Sequence, residues 1–281
     1  MVGSDDVSVI TGGAGGMGQA TAAVVGRDHT VVLFDIREDR LADAQAALEA
    51  RGVTATSVAG DVTDPEAVAR LLRRAGDLGT LASVIHAAGV SPSMGDAEYI
   101  VRTNALGTVT VGEEFFRVAP EGAALVNVAS MAAYLLPDTM LPTGAYPLAF
   151  DDPDAFLAQV LAACDIGLEE AQAGLGYAIS KSFVRWYSTA QAERFNDRGL
   201  RVLSVSPGST DTEMGRLEEE AGAGAMVVDA AVPRWGTAEE MGELLAFCAS
   251  RRAGYLTGTD ILNDGGVVAS ITERARRASV G

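Results

Sequence analysis

Lysine is almost missing from this chain of 281 residues: of 21 basic side chains only Lys181 is a lysine, the rest being arginine. Histidine and cysteine are as scarce. The two histidines, His29 and His86, stand in different segments, which leaves a Ser-His-Asp hydrolase built on Ser130, or a histidine-rich metal site, poorly supported. Cys164 and Cys248 lie far apart without paired histidine spacing. They imply neither a disulfide framework nor a zinc site, and they fit a reducing compartment. Positive charge is short overall: 38 acidic residues against 21 basic ones leave a formal charge of -17, a surface that nucleic acid or an anionic membrane would repel. No apolar run approaches the ~18 residues of a membrane span. Nothing at the start resembles a signal peptide, because the apolar run VSVI begins after six residues. A cytoplasmic protein without nucleic-acid or membrane partners is expected.

What the chain does have is rhythm. Short β-rich runs recur at VSVI (7–10), TVVLFD (30–35), VTATSVAG (53–60), LASVIHAAG (81–89), AALVNVAS (123–130), LRVLSVSP (200–207) and LTGTDILND (256–264). Between most of them lie stretches of helical length, such as EDRLADAQAALEA and PEAVARLLRRAG, with apolar residues three and four apart. Alternating strands and helices predict a single α/β domain over 1–281, a doubly wound parallel sheet of about seven strands with helices on both faces. Ligands of such sheets bind outside the carboxyl ends of the strands. Residues 132–175 interrupt the rhythm; a Pro-rich first half leads into DDPDAFLAQVLAACDIG, which predicts an inserted helix. The tail from Ile271, ITERARRASVG, is short and polar and reads as frayed.

After the first strand comes TGGAGGMG, Thr11 to Gly18, and then an alanine-rich helix. The next strand ends in Asp35, within VVLFDIR. A glycine loop between strand and helix, followed by an acid at the end of the next strand, meets the context of a dinucleotide site. Gly12 permits the turn, Gly16 lets backbone approach a pyrophosphate, Gly18 allows close packing, and the helix N-terminus supplies partial positive charge. Gly15, Met17 and Ile36 complete this wall. Asp35 accepts from both hydroxyls of an adenosine ribose and meets a 2′-phosphate with like charge, which favours NAD over NADP; Arg37 is the residue able to offset it. At the third strand's end, Asp61 and Val62 suit an adenine, or Asp61 serves a structural turn before TDPE.

Residues four apart share a helix face, so Tyr177 and Lys181 in YAISK present a phenol and an ammonium to one spot. TGGAGGMG, HAAG (86–89), Asn104 in TNALGT, Ser130 in VNVASM, YAISK and SPGSTDT (206–212) follow one another as in the short-chain dehydrogenases/reductases, which this chain resembles over nearly its whole length except 132–175. The resemblance implies that Tyr177 is the general acid/base. A free phenol, with a pKa of about 10, is a poor base; Lys181 and an oxidised nicotinamide beside it would lower that value. The resemblance also implies that Lys181 holds the nicotinamide ribose, that Ser130 binds the substrate oxygen, and that Asn104 bends a helix and holds a water linking Lys181 to solvent. Ala88 and Gly89 would pass the adenine ribose; Pro207 and Gly208 would turn the chain past the nicotinamide, Thr210 offering backbone groups to its carboxamide and Thr212 reaching that amide or the pyrophosphate, or the segment is a plain turn. His86 and Ala87 replace the family's usual amide side chains in this loop, and His86 reads as a packed strand residue.

Ser130 and Tyr177 stand much farther apart than in typical members, an arrangement that resembles bacterial 3α-hydroxysteroid dehydrogenase/carbonyl reductases, which also carry DIR after the second strand. The extra segment is expected to roof the pocket or to alter a subunit interface. Tyr134, Leu135, Leu136, Met140, Leu141, Tyr146 and Phe150 supply apolar surface for a bulky hydrophobic ketone or alcohol, or pack upon themselves. The leading expectation is an NAD-dependent, metal-free enzyme interconverting a secondary alcohol and a ketone, assembled as a homodimer or homotetramer. Its rivals are a dinucleotide sensor without turnover and an epimerase or dehydratase of the same superfamily. The sensor usually loses part of the Ser/Tyr/Lys set, and the epimerase usually carries a longer segment after PG.

Overall fold

The computed structural model describes residues 5–219 and 225–279. Seven parallel strands form its main sheet: β1 (Asp6–Thr11), β2 (Thr30–Asp35), β3 (Ala55–Ala59), β4 (Thr80–His86), β5 (Ala124–Val128), β6 (Arg201–Pro207) and, after two short strands, β9 (Asp260–Asn263). Their order is β3-β2-β1-β4-β5-β6-β9, so the chain reverses direction across the sheet between β1 and β4. A crevice for a ligand opens at such a switch point. The short strands, β7 (Thr210–Asp211) and β8 (Gly236–Thr237), pair only with each other and lie outside the rhythm read from the sequence.

Alternation along the strands divides the core in two. Val7, Val9, Val32 and Phe34 face one apolar layer, with Leu71, Phe115 and Phe183. Ile10, Val31 and Leu33 face the other, with Ala22, Leu41 and Leu245. These side chains come from helices on opposite faces: α1 (Gly16–Val25), α2 (Glu38–Glu49) and α12 (Ala238–Ala249) on one, α3 (Pro65–Leu78), α5 (Gly107–Val118) and α8 (Glu169–Ala190) on the other. Helix α3 starts where its sequence directs it, with Pro65 at the first position and the Asp64 carboxylate accepting from the Glu66 N–H.

The inserted segment carries three single 3-10 turns, the short helix α6 (Leu148–Asp151) and α7 (Pro153–Cys164), capped by Asp152. Several of its apolar side chains turn inward, while Leu135, Ile166 and Leu168 are exposed. Tyr146 is fully buried, its ring 5.4 Å from those of Phe183 and Trp186 on α8. Phe150 stacks 5.9 Å from Tyr187, and Leu136, Met140 and Leu141 pack against the same core. The tail departs from expectation: α13 (Val267–Ala278) is helical well past Ile271, held by Glu273 accepting from Arg276 and Arg277 at 2.8 Å each, while residues 280–281 lie outside the described part.

Candidate active site

A cleft of about 350 Å³ opens over the carboxyl ends of β1, β2, β3 and β4. Gly12, Gly15, Gly16, Met17 and Gly18 line it from the loop and start of α1, Asp35 and Ile36 from the end of β2, Asp61 and Val62 from beyond β3, and Ala88 and Gly89 from beyond β4. The loop needs its glycines. Gly12 adopts φ +66°, where other residues are strained, and a Cβ there would stand 2.7 Å from the Ala88 nitrogen. A Cβ on Gly18 would stand 2.2 Å from the Gly12 oxygen. The backbone thereby folds tightly and brings the N-terminus of α1 to the cleft, a cradle that fits the pyrophosphate of a dinucleotide.

Both oxygens of Asp35 are oriented by backbone: Oδ2 accepts from the Ala14 N–H and Oδ1 from the Arg37 N–H, each at 3.2 Å. Asp61 lines the cleft and also forms the structural turn, Oδ1 accepting from the N–H and hydroxyl of Thr63, both at 2.8 Å. His86 is packed, as expected. Its Nδ1 shares a hydrogen bond with Thr11 Oγ1 at 2.7 Å, and Thr11 Oγ1 accepts from the Ala88 N–H at 3.2 Å, so this pair steadies the HAAG loop where amide side chains are absent. Burial, with the nearby charge of Lys181, pushes the His86 pKa down to about 3.

Helix α8 carries Tyr177 and Lys181 one turn apart. Lys181 is buried; its Nζ donates to the Val128 carbonyl at 2.9 Å and lies 5.8 Å from the centre of the Tyr177 ring. A Cβ on Gly89 would stand 3.2 Å from that Nζ and 3.0 Å from Asn104 Oδ1, so both side chains lie against Gly89, a residue of the cleft wall. Asn104 sits in a π-helical turn, Arg102–Leu106, joining α4 (Ala97–Val101) to α5, so the helix does depart from regularity at this residue. Its side chain accepts from the Val90 N–H at 2.9 Å, and donates to the Val90 carbonyl and to Ser180 Oγ. Its carbonyl accepts the Thr108 hydroxyl at 2.7 Å. Ser130, at the end of β5, accepts from the Ala132 N–H at 3.2 Å, which leaves its own proton to donate.

The protein's own groups together set the Tyr177 phenol above its ordinary pKa. Burial raises the phenol pKa, the Ser130 hydrogen bond lowers it in part, and the Glu218 carboxylate raises it further. Burial also presses Lys181 down to about 8, and its Nζ is engaged by the Val128 carbonyl. The remaining residues separate. Thr212 lines the cleft and caps α10 (Glu213–Glu218). Gly208 lines a second cavity with Ser209, Asn263 and Asp264, whereas Pro207, Thr210, Asn104, Ser130, Tyr177 and Lys181 line neither. Sequence reading missed Arg40, Met94, Tyr99, Thr103, Glu213, Met214 and Leu217 on the cleft wall; Arg40, one turn beyond the acid-ended strand, was the one with a local signal. Among the described residues no cluster suited to a metal ion occurs, and no helix is long and apolar enough to cross a membrane.

Comparison with known proteins agrees with this geometry. Residues 6–141 match the family model of short chain dehydrogenases, and residues 160–268 match that of enoyl-(acyl carrier protein) reductases. A short-chain dehydrogenase/reductase of Alternaria brassicicola is 31% identical over 265 residues, 92% of this chain and 95% of that one. A diacetyl reductase [(S)-acetoin forming] of Staphylococcus epidermidis is 27% identical, over 93% and 98% of the two chains. Among solved structures, a short chain dehydrogenase from Burkholderia cenocepacia in complex with NADP superposes with a TM-score of 0.74 at 25% identity, covering 94% of this chain and 98% of that one. With its switch-point cleft, its glycine cradle and relatives that match from end to end, the chain belongs to the short-chain dehydrogenase/reductase family of oxidoreductases.

Proposed function

We propose that the protein is an NAD-dependent dehydrogenase or reductase that interconverts a secondary alcohol and a ketone, with Tyr177 as general acid/base. What supports the reading is a chain of neighbours: Lys181 and Asn104 lie against Gly89, a residue of the cleft that Asp35 also lines, Tyr177 stands one turn from Lys181 on α8, and the Ser130 hydroxyl acts on the Tyr177 phenol. Bound NAD supplies the hydride acceptor and, in its oxidised form, a positive charge beside the phenol. Ser130 donates to the substrate oxygen and holds it near Tyr177. Tyr177 takes the hydroxyl proton during oxidation and returns it during reduction. Lys181, held by the Val128 carbonyl, presents its remaining donors to a ribose. Since the protein's own groups raise the Tyr177 pKa, the free protein keeps the phenol protonated at neutral pH and reserves the base for the loaded site.

The NADP printed for the Burkholderia relative belongs to that protein; here the choice of NAD rests on Asp35, whose carboxylate faces the cleft beside the cradle. Support for a hydrophobic substrate comes from Met94, Met214 and Leu217 on the cleft wall. The insertion belongs to the scaffold of α8 in this reading, and the enzyme is cytoplasmic and works as a homodimer or homotetramer. The test is Tyr177→Phe: alcohol oxidation falls by roughly a thousandfold while NADH binding, followed by fluorescence, is retained. A variant that keeps its turnover would overturn the role of Tyr177. A wild-type protein that binds NADH yet oxidises no member of a panel of steroid, aliphatic and cyclic alcohols would favour the sensor.

A further inference from the structure

The mouth of the dinucleotide cleft holds a cluster of charges from two elements, α2 and the start of α10. Arg40 on α2 donates through Nη1 and Nη2 to the two carboxylate oxygens of Glu213, at 2.5 and 2.8 Å, a fork-to-fork pairing across 173 residues of sequence. Arg37, nearer to Asp35, points Nη2 at Asp39 Oδ2 at 3.4 Å. Asp35, Arg37, Arg40 and Glu213 all line the same cavity. Besides Glu213, the charges of Asp39 and then Asp35 are felt at Arg40, so this guanidinium stands among three carboxylates. At its far end α10 is tied to the opposite wall, where Glu218 Oε1 accepts from the Ser93 N–H at 3.1 Å. Helix α10 thus bridges the cleft, with a glutamate at each end as its fastening and with Met214 and Leu217 in the cavity lining between them.

We propose that Glu213 is a specificity-determining residue: it holds Arg40 across the cleft, withholds that guanidinium from a 2′-phosphate, and so enforces the choice of NAD. A 2′-phosphate beside Asp35 needs a cation to offset the like charge. Arg40 is within the cavity to serve, but only by leaving Glu213, which both strands a second carboxylate near the phosphate and unfastens α10 from α2. A ribose bearing free hydroxyls asks for none of this. Discrimination therefore involves two carboxylates, one that receives the ribose and one that occupies the arginine.

The inference rests on the NAD reading and is tested without knowledge of the substrate, by titrating NADH and NADPH fluorescence into the wild type, Glu213→Gln, Arg40→Gln and the double variant. Glu213→Gln is expected to tighten NADPH by about threefold or more, the scale of an exposed charge pair, with a smaller change for NADH. In the Arg40→Gln background the same substitution is expected to give no such gain. An unmoved NADPH/NADH ratio in Glu213→Gln, or an equal gain without Arg40, would overturn the inference. A wild type that prefers NADPH would instead sink the NAD reading beneath it. Thermal midpoints of the four proteins show whether each is folded when titrated.

Discussion

Tyr134 donates its hydroxyl to Asp260 Oδ2 at 2.6 Å, joining the 3-10 turn that follows Ser130 to strand β9. Asp260 is nearly buried and also accepts from Ser204 at 2.6 Å and Ser206 at 3.0 Å. The guanidinium of Arg185, one turn beyond Lys181, lies 3.5 Å above the Tyr134 ring and donates to the Ala133 carbonyl at 3.1 Å. Burial and the Asp260 carboxylate push the Tyr134 pKa up to about 12, so the donor stays protonated through the neutral range.

Tyr134→Phe should therefore loosen the turn that positions Ser130 without touching the dinucleotide. Loss of one donor to a buried carboxylate costs roughly 1–3 kcal/mol. The expected kinetic result is a kcat reduced by about tenfold with the KM for NAD unchanged. Equal loss of dinucleotide affinity, read by NADH titration, would mean that the substitution disturbs the fold more broadly.

The insertion makes a contrasting prediction. Because Tyr146 is fully buried against Phe183 and Trp186, Tyr146→Ala should destabilise the protein by about 3–5 kcal/mol, lowering the thermal midpoint by roughly 10 °C. The folded fraction should keep its ratio of activity toward large and small carbonyls. A selective loss toward large substrates at unchanged stability would restore the insertion as a roof over the pocket.

Acid should weaken the fold through His86. Its pKa is about 3 in the folded protein against about 6.5 when exposed, so between these values the unfolded chain binds a proton that the native state does not. The stability contributed by neutral His86 is complete above about pH 6.5 and is lost as pH falls toward 3, on the order of a few kcal/mol in total. His86→Asn should flatten the dependence of the urea midpoint on pH across that window, and an unchanged slope would refute the assignment.

The strands were legible because each buried run of a parallel sheet announces itself locally: TVVLFD occupies Thr30–Asp35 without adjustment. The glycine cradle was legible too, since Gly12 and Gly18 answer to steric demands within a few residues. The Arg40–Glu213 pairing was not, because a contact between distant elements leaves no periodic trace in either. The role of Tyr134 is equally hidden in the sequence, since its ring and hydroxyl have separate partners, one of them on β9. The helix α13 did carry a signal, Glu273 with arginines three and four positions later, which outweighs the polarity that suggested fraying.

Strand β9 follows every other strand of the main sheet in sequence and pairs with β6 from Ser204↔Asp260 to Pro207↔Asn263. While a ribosome is still making the chain, β6 consequently waits with one flank bare, a template for stray pairing between nascent molecules. The same late arrival delivers Asp260, so the newborn enzyme gains its anchored serine only when the sheet is sealed.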